Sequence, residues 1–285
     1  LAKVLIILNH IKKKRGFLVM SFLNPNPPVL SDRLLEKFDP IGLDDLGEAN
    51  LLDRVDTKFM LDVGQLLTAL ERVSDDYRVL CVNGQRLNPY QTLYFDTPDF
   101  ELYQQHHNGW ADRYKIRARR YVNSAQTYLE IKHRTNRSRT LKSRMPIPYI
   151  MTHFDLATTA FIDTNMPYES GLFEPKLWNE YLRLTLVAKH RLERVTIDLN
   201  VGFGWRNAHT AFSGMAVVEV KQDDLTMPSA FSAQMRRLGV QEGGFSKYCM
   251  GVYILYQDAV KGNNMKPHLR EVEKLMREGA HVAVH

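Results

Sequence analysis

Two hydrophobic periods alternate along this chain. In DVGQLLTALERV (residues 62–73), Val63, Leu66, Leu67, Leu70 and Val73 recur at helical spacing and predict an amphipathic helix. Ser31 stands where a cap belongs before a short helix, DRLLEKF, and GLDDLGEANLL predicts a second short one. Near the C-terminus PSAFSAQMRRLG begins a helix at Pro228 and stops at Gly239, and SKYCMGVYILYQD is capped by Ser246. Between these regions the period is two. RVDTKFML alternates, and strands are predicted at about 90–96, 112–122, 126–134, 139–147, 179–188, 193–203 and 214–222. SAQ (124–126) and KHRL (189–192) are short enough for hairpin turns, so neighbouring strands pair antiparallel. GFG (202–204) reads as a turn at a strand end, and His106-His107 as part of a loop. NPNPPV (24–29) is a stiff linker, and the residues after about 260 form a loose tail with one short helix.

The strands carry an unusual load. Side chains alternate across a strand, so residues two apart share a face. Arg54, Asp56 and Lys58 share one, as do Lys115, Arg117 and Arg119, then Glu130 and Lys132, then Lys142 and Arg144. Arg194, Thr196 and Asp198 share another, and so do Glu219 and Lys221. A sheet with one wet face accounts for any one of these strands. As a set, faces rich in Arg and Lys with sparse acids suggest a barrel of about eight strands whose lumen they line. Unpaired buried cations are costly, so such a lumen calls for a polyanion. Arg and Lys in this number suit phosphate oxygens.

Composition narrows the field modestly. The chain has 285 residues, 44% of them hydrophobic, enough for one sizeable core. A net charge of +6 admits an anionic partner and equally a merely solvated basic surface. Cys81 and Cys249 stand far apart, which excludes a disulfide framework and a thiolate metal site and fits a reducing, cytoplasmic setting. No stretch reaches the ~18 apolar residues of a membrane helix. The apolar run Val4 to Leu8 is too short for a signal core and its basic cluster follows it, so Met20 is expected to be the start, with residues 1–19 an upstream extension. There is no G-x-x-x-x-G-K-[ST], no G-x-G-x-x-G and no kinase signature. A basic barrel could hold nucleic acid. No helix-turn-helix, zinc-finger or RNA-recognition pattern supports it, and no nucleic-acid partner is expected.

LLDRVDTKFML, TLYFDTPDFELY, KIRARRY, YLEIKHR, LKSR, EPKLWNEYLRLTLV with ERVTIDLNV, VVEVK and FSKYCMG follow one another in the order seen in VTC-domain proteins. The chain resembles that family, part of the CYTH-like triphosphate tunnel superfamily, over roughly residues 40–258. The resemblance implies an α+β fold, an antiparallel β-barrel tunnel with helices packed outside. It also implies three segments: an extension over 1–39, the tunnel domain over 40–260 and a tail over 261–285. The best-understood members are polyphosphate polymerases, which transfer the γ-phosphoryl group of ATP to a growing polyphosphate chain with a divalent metal, usually manganese, magnesium being the other choice.

Carried over residue by residue, the resemblance assigns the reaction to Lys58, Arg117, Arg119, Lys132, Lys142, Arg183, Arg194 and Lys247. It assigns substrate binding to Arg54, Lys115, Arg144, Lys221 and Ser246, and the metal to Glu219, with Glu130 and Asp56. One departure is informative. Triphosphatase and cyclase relatives open with E-x-E-x-K, whereas this chain has Arg54-x-Asp56-x-Lys58, which argues against a two-metal hydrolytic site. Eukaryotic members also carry membrane helices and a phosphate-sensing domain; neither pattern is visible here, which leaves a membrane partner for the product open. Two rivals stand beside the polymerase: a tripolyphosphatase, with water as acceptor, and a module that binds polyphosphate or inositol phosphates without turnover. Arg134, Arg137 and Arg139, at the tip of the hairpin that carries Lys132 and Lys142, either steer the polyanion or form a plain solvated turn.

Overall fold

The structure is a computed structural model that describes residues 30–49, 55–137, 139–223 and 229–280. Arg54, Pro228, the proline linker, Met20 and the extension before it lie outside the described residues. In chain order the elements are α1 (Asp32–Leu35), β1 (Asp39–Ile41), a 3-10 turn (Asp44–Ala49), β2 (Val55–Asp62), α2 (Val63–Val73), β3 (Tyr77–Leu80) and β4 (Leu87–Asp96). There follow α3 (Glu101–His107), β5 (Arg113–Tyr121), β6 (Gln126–Arg134), β7 (Thr140–Pro146), α4 (Leu156–Asn165) and a 3-10 turn (Ser170–Leu172). The rest is β8 (Glu174–Ala188), β9 (Glu193–Trp205), β10 (Ala208–Gln222), α5 (Ala230–Arg237), α6 (Lys247–Leu255) and α7 (Lys266–Ala280).

Eight strands form one antiparallel path in the order β2-β10-β9-β8-β4-β5-β6-β7. Short β3 pairs antiparallel with β8, and β1 pairs with β3 in parallel, the one departure from the antiparallel rule. The path is curled. Laid flat, β2 and β6 would stand about 29 Å apart, six steps of ~4.8 Å, well beyond the range of screened charges. Yet after desolvation and Lys115, the charges of Glu219 on β10 and Lys58 on β2 also act on the Lys132 ammonium of β6. The start of α6 also reaches two strands three places apart on the path, Ser246 meeting Lys115 of β5 and Lys247 meeting Asp198 of β9, so the charged faces turn toward one another as in the expected tunnel, with Lys132, Lys142 and Arg144 exposed on the β6–β7 side.

Alternation sorts the remaining side chains. Phe59, Leu61, Ile197, Val218 and Val220 point outward and pack beneath α2 and α5, through Leu66, Leu70, Phe231 and Met235. A second outward cluster joins Leu93, Ile116, Leu129 and Ile131 to Ile162 of α4. The third cluster adds to the expected outer helices one that packs inward. Met60, Tyr94, Tyr181 and Val217 belong to the charged, inward faces by their spacing from Lys58, Asp96, Arg183 and Glu219, and they pack on Phe245, Tyr248, Cys249 and Val252 of α6 and the segment before it. The inner face thus changes from charged to apolar along its length, and α6 fills the apolar end. There is no room for a larger residue in this contact, since a Cβ on Gly251 would stand 2.6 Å from Leu177 and from Phe203.

Four further local readings change. His106 and His107 lie on α3, a helix too short to show a period, whose first N–H groups are capped by Asp96 and Thr97. Gly202 and Gly204 sit within the thirteen-residue β9, not at a turn. α4 was not predicted; its start is fixed by a capping box between Asp155 and Thr158. The tail is no loose end: α7 is fifteen residues long and buries Val272 and Leu275 in the third cluster.

Candidate functional site

The lumen is built by register. Along the β2–β10 ladder Lys58 faces Glu219 and Asp56 faces Lys221. On β10 and β9, Lys221 faces Arg194 and Glu219 faces Thr196; on β9 and β8, Asp198 faces Arg183. On the other wall Arg117 faces Glu130, Glu130 faces Arg144, and Lys115, Lys132 and Lys142 stand directly opposite one another on three successive strands. Among the described residues, ten strand cations singled out in the sequence, joined by Lys247 of α6, meet four acids here, Asp56, Glu130, Asp198 and Glu219.

Each acid is already committed. Glu130 is 1% exposed; Arg117 donates to it at 2.8 Å and Lys142 pairs with its other oxygen. Burial alone would raise its pKa, but Arg117, Arg119 and Lys142 hold it far below the ordinary carboxylate range. Asp198 takes two parallel bonds from Arg183, at 2.6 and 2.8 Å, and pairs with Lys247. Against the penalty of burial, Arg183 and then Lys247 keep it at about 2. Glu219 pairs with Lys58 at 3.3 Å and with Lys221, which also stands 3.7 Å from Asp56. Glu219 is half-buried; its desolvation would raise its pKa, but Lys221 and then Lys58 keep it ionised well below its usual range.

The cations outnumber these partners. Lys115 reaches the hydroxyl of Ser246 at 3.1 Å, and Arg119, 6% exposed, donates to Thr92 at 3.2 Å. Lys132 is exposed at the strand surface, yet desolvation by the groups around it, then Lys115 and other nearby cations, push its ammonium down to about 8. Aromatic faces share the load: Arg183 lies 4.9 Å from the Tyr90 ring and 5.2 Å from Tyr181, Lys247 lies 4.8 Å from Tyr181, and Arg144 lies 5.0 Å from Tyr128. Ser246 caps α6 by accepting from the Cys249 N–H, so Lys247 and the start of the helix face the lumen together.

Of the residues singled out in the sequence, Lys58, Lys115, Arg117, Arg119, Lys132, Lys142, Arg144, Arg183, Arg194, Lys221, Ser246 and Lys247 come together here with Asp56, Glu130 and Glu219. The proposed metal set does not gather as one. Glu130 meets Arg117 and Lys142 across the tunnel from Glu219, and no three His, Cys, Asp or Glu side chains group as a metal site among the described residues. Glu219 and Asp56 do share Lys221 and are both partly exposed. One or two carboxylates completed by phosphate oxygens is an ordinary Mg2+ donor set, so these two fit a divalent cation brought in with substrate. His106 is excluded as a ligand: Nδ1 accepts from Arg113 at 3.0 Å, Nε2 donates to the Tyr114 carbonyl at 3.0 Å, and burial, with Lys115 and Arg113, keeps the ring neutral, its pKa about 2. Sequence reasoning missed the importance of Asp198 and of the tyrosines. Alternation had already put Asp198 on the charged face, but nothing local showed that it bridges β8 and α6.

The sequence profile of the VTC domain matches residues 53–256. No curated protein matches the chain. Among solved structures, the chain is similar to a putative adenylate cyclase from Vibrio parahaemolyticus, with 14% identity over 73% of this chain and 97% of that one, at a TM-score of 0.40. It is also similar to a putative adenylyl cyclase from Hippeastrum described as having a dominant triphosphatase activity, with 12% identity over 74% and 99% of the two chains and a TM-score of 0.44.

Proposed function

The chain belongs to the VTC-domain family, and we propose that it is a polyphosphate polymerase, moving the γ-phosphoryl group of ATP onto the end of a polyphosphate chain held in the tunnel. The observation that carries this reading is the row Lys115, Lys132 and Lys142, three like charges directly opposite one another in a lumen short of acids. Like charges in that relation repel, and a chain of phosphates is the anion whose length and charge density answer them.

Phosphoryl transfer needs positioning and charge neutralisation more than covalent help. Arg117, Arg119, Lys132, Lys142 and Arg194 line both walls and hold the triphosphate, with Lys115, Arg144, Lys221 and Ser246 adding contacts along it. Lys58, Arg183 and Lys247 stabilise the transferring group as charge moves to its oxygens. The acceptor's terminal phosphate oxygen is ionised at neutral pH and attacks the γ-phosphorus without a general base. The bond to the β–γ bridging oxygen breaks and ADP leaves. A divalent cation, manganese or magnesium, would be held by Glu219 and Asp56 and would supply further charge neutralisation on phosphate oxygens. A cytoplasmic setting and a membrane partner for the product belong to the same proposal; among the described residues no helix is long and apolar enough to cross a membrane.

A second reading, a module that binds polyphosphate or inositol phosphates without turnover, is favoured by one observation: each lumen acid is already ion-paired. Incubation with ATP and manganese, followed by a polyphosphate gel and a free-phosphate assay, decides. A ladder of long chains with ADP is the expected result. Free phosphate without a ladder would make the protein a hydrolase, and polyphosphate binding with neither product would make it a binding module.

A further inference from the structure

Two motifs of the sequence, TLYFDTPDFELY and FSKYCMG, meet in space. Asp96, at the end of β4, is 0% exposed. Its Oδ1 accepts the N–H groups of Thr97 at 2.8 Å and Leu102 at 2.9 Å; its Oδ2 accepts the N–H of Tyr103 at 2.9 Å and the hydroxyl of Tyr248. One carboxylate thus joins the end of a strand, the first turn of α3 and the start of α6. Two residues back on the same strand, Tyr94 lies against the Tyr248 ring with centroids 5.0 Å apart. The Tyr94 hydroxyl in turn accepts from Arg117 at 3.5 Å. β4 therefore holds Tyr248 by ring and by hydroxyl together.

Tyr248 is the neighbour of Lys247 and Ser246, the two α6 residues that enter the lumen. Apolar burial is not directional, and the rest of α6 packs through Cys249, Met250 and Val252, which could slide over the aromatic floor. A helix turns about 100° per residue, so a slip of one position would swing Lys247 away from Asp198. A buried carboxylate with four donors has no such freedom, because each lost bond leaves a charge short of a partner.

We propose that the Asp96–Tyr248 hydrogen bond is the positioning contact that sets Lys247 and Ser246 for phosphate, shaping the tunnel's substrate site from behind without touching substrate. This rests on the tunnel binding a phosphate chain, whichever reaction follows. The test is a double-mutant cycle on tripolyphosphate affinity by calorimetry, with melting curves for every variant. Tyr248→Phe should weaken binding about tenfold. In a background carrying both Ser246→Ala and Lys247→Ala the same change should cost less than about twofold, because both residues being positioned are gone. Equal losses in both backgrounds, or no loss in either while the unaltered protein binds, would overturn the proposal. Asp96→Asn, which keeps the volume, is run through the same cycle in case Tyr248→Phe does not fold, and the same pattern is expected. If the unaltered protein binds no tripolyphosphate, the tunnel reading falls first and takes this one with it, a result distinct from a failed cycle.

Discussion

At the scale of residues, the charges in the tunnel lead to measurable titrations. Desolvation by its surroundings and neighbouring cations hold the exposed Lys132 at about 8, below its ordinary value, and a bound phosphate would raise it again. Below pH 8 the ammonium is already charged and tripolyphosphate affinity should be flat. Above it binding must take up a proton, so affinity should fall, and calorimetry in buffers of different ionisation enthalpy should show the uptake. Lys132→Met should remove that step. Asp198 has the opposite sign: its pKa is depressed to about 2, so its ion pairs stabilise the fold above the unfolded value of about 4 and are lost as pH falls through about 2. Melting temperature followed down that range should drop less steeply for Asp198→Asn. Glu219→Gln keeps the volume but removes the charge between Lys58 and Lys221. Metal-dependent turnover should fall by about a hundredfold or more, a loss on the scale of a removed transition-state contact. Stability should change far less; a fully active variant would remove Glu219 from the metal role.

Elements behave as units because their faces do. α2, α5 and α6 were legible from period and caps, and the long strands from alternation. α3 was not, since its cap is supplied by Asp96, several residues upstream, and no seven-residue helix shows two full turns of pattern. Nor was the inward seat of α6, because its apolar residues would suit an outer face equally well. That seat gives a prediction. Gly251→Ala should raise intrinsic helix propensity by roughly 1 kcal/mol. The new methyl would nevertheless stand 2.6 Å from Leu177 and Phe203, so net destabilisation of about 1–3 kcal/mol is expected, read as a lower melting temperature. Tripolyphosphate affinity should weaken with it, since Lys247 rides on the same helix.

For the whole molecule, a tunnel with more cations than acids is under internal repulsion that a polyanion relieves. Tripolyphosphate at a hundred times its Kd should stabilise the fold by about 2.7 kcal/mol, seen as a raised melting temperature. The effect should shrink as salt is added, because many charges are neutralised at once. No shift at low salt would remove the polyanion reading.

By itself the sequence determined which residues share a strand face, that those faces are cationic, and that phosphate is the group they suit. Those facts follow from a period of two and from side-chain chemistry, both local. It took the folded chain to turn the faces toward one another, tie Arg183 to Lys247 through Asp198, hold Glu130 with Arg117 and Lys142 apart from Glu219, and seat α6 in one end of the tunnel. Curvature and register bring together residues more than a hundred positions apart, and no spacing along the chain encodes such distances.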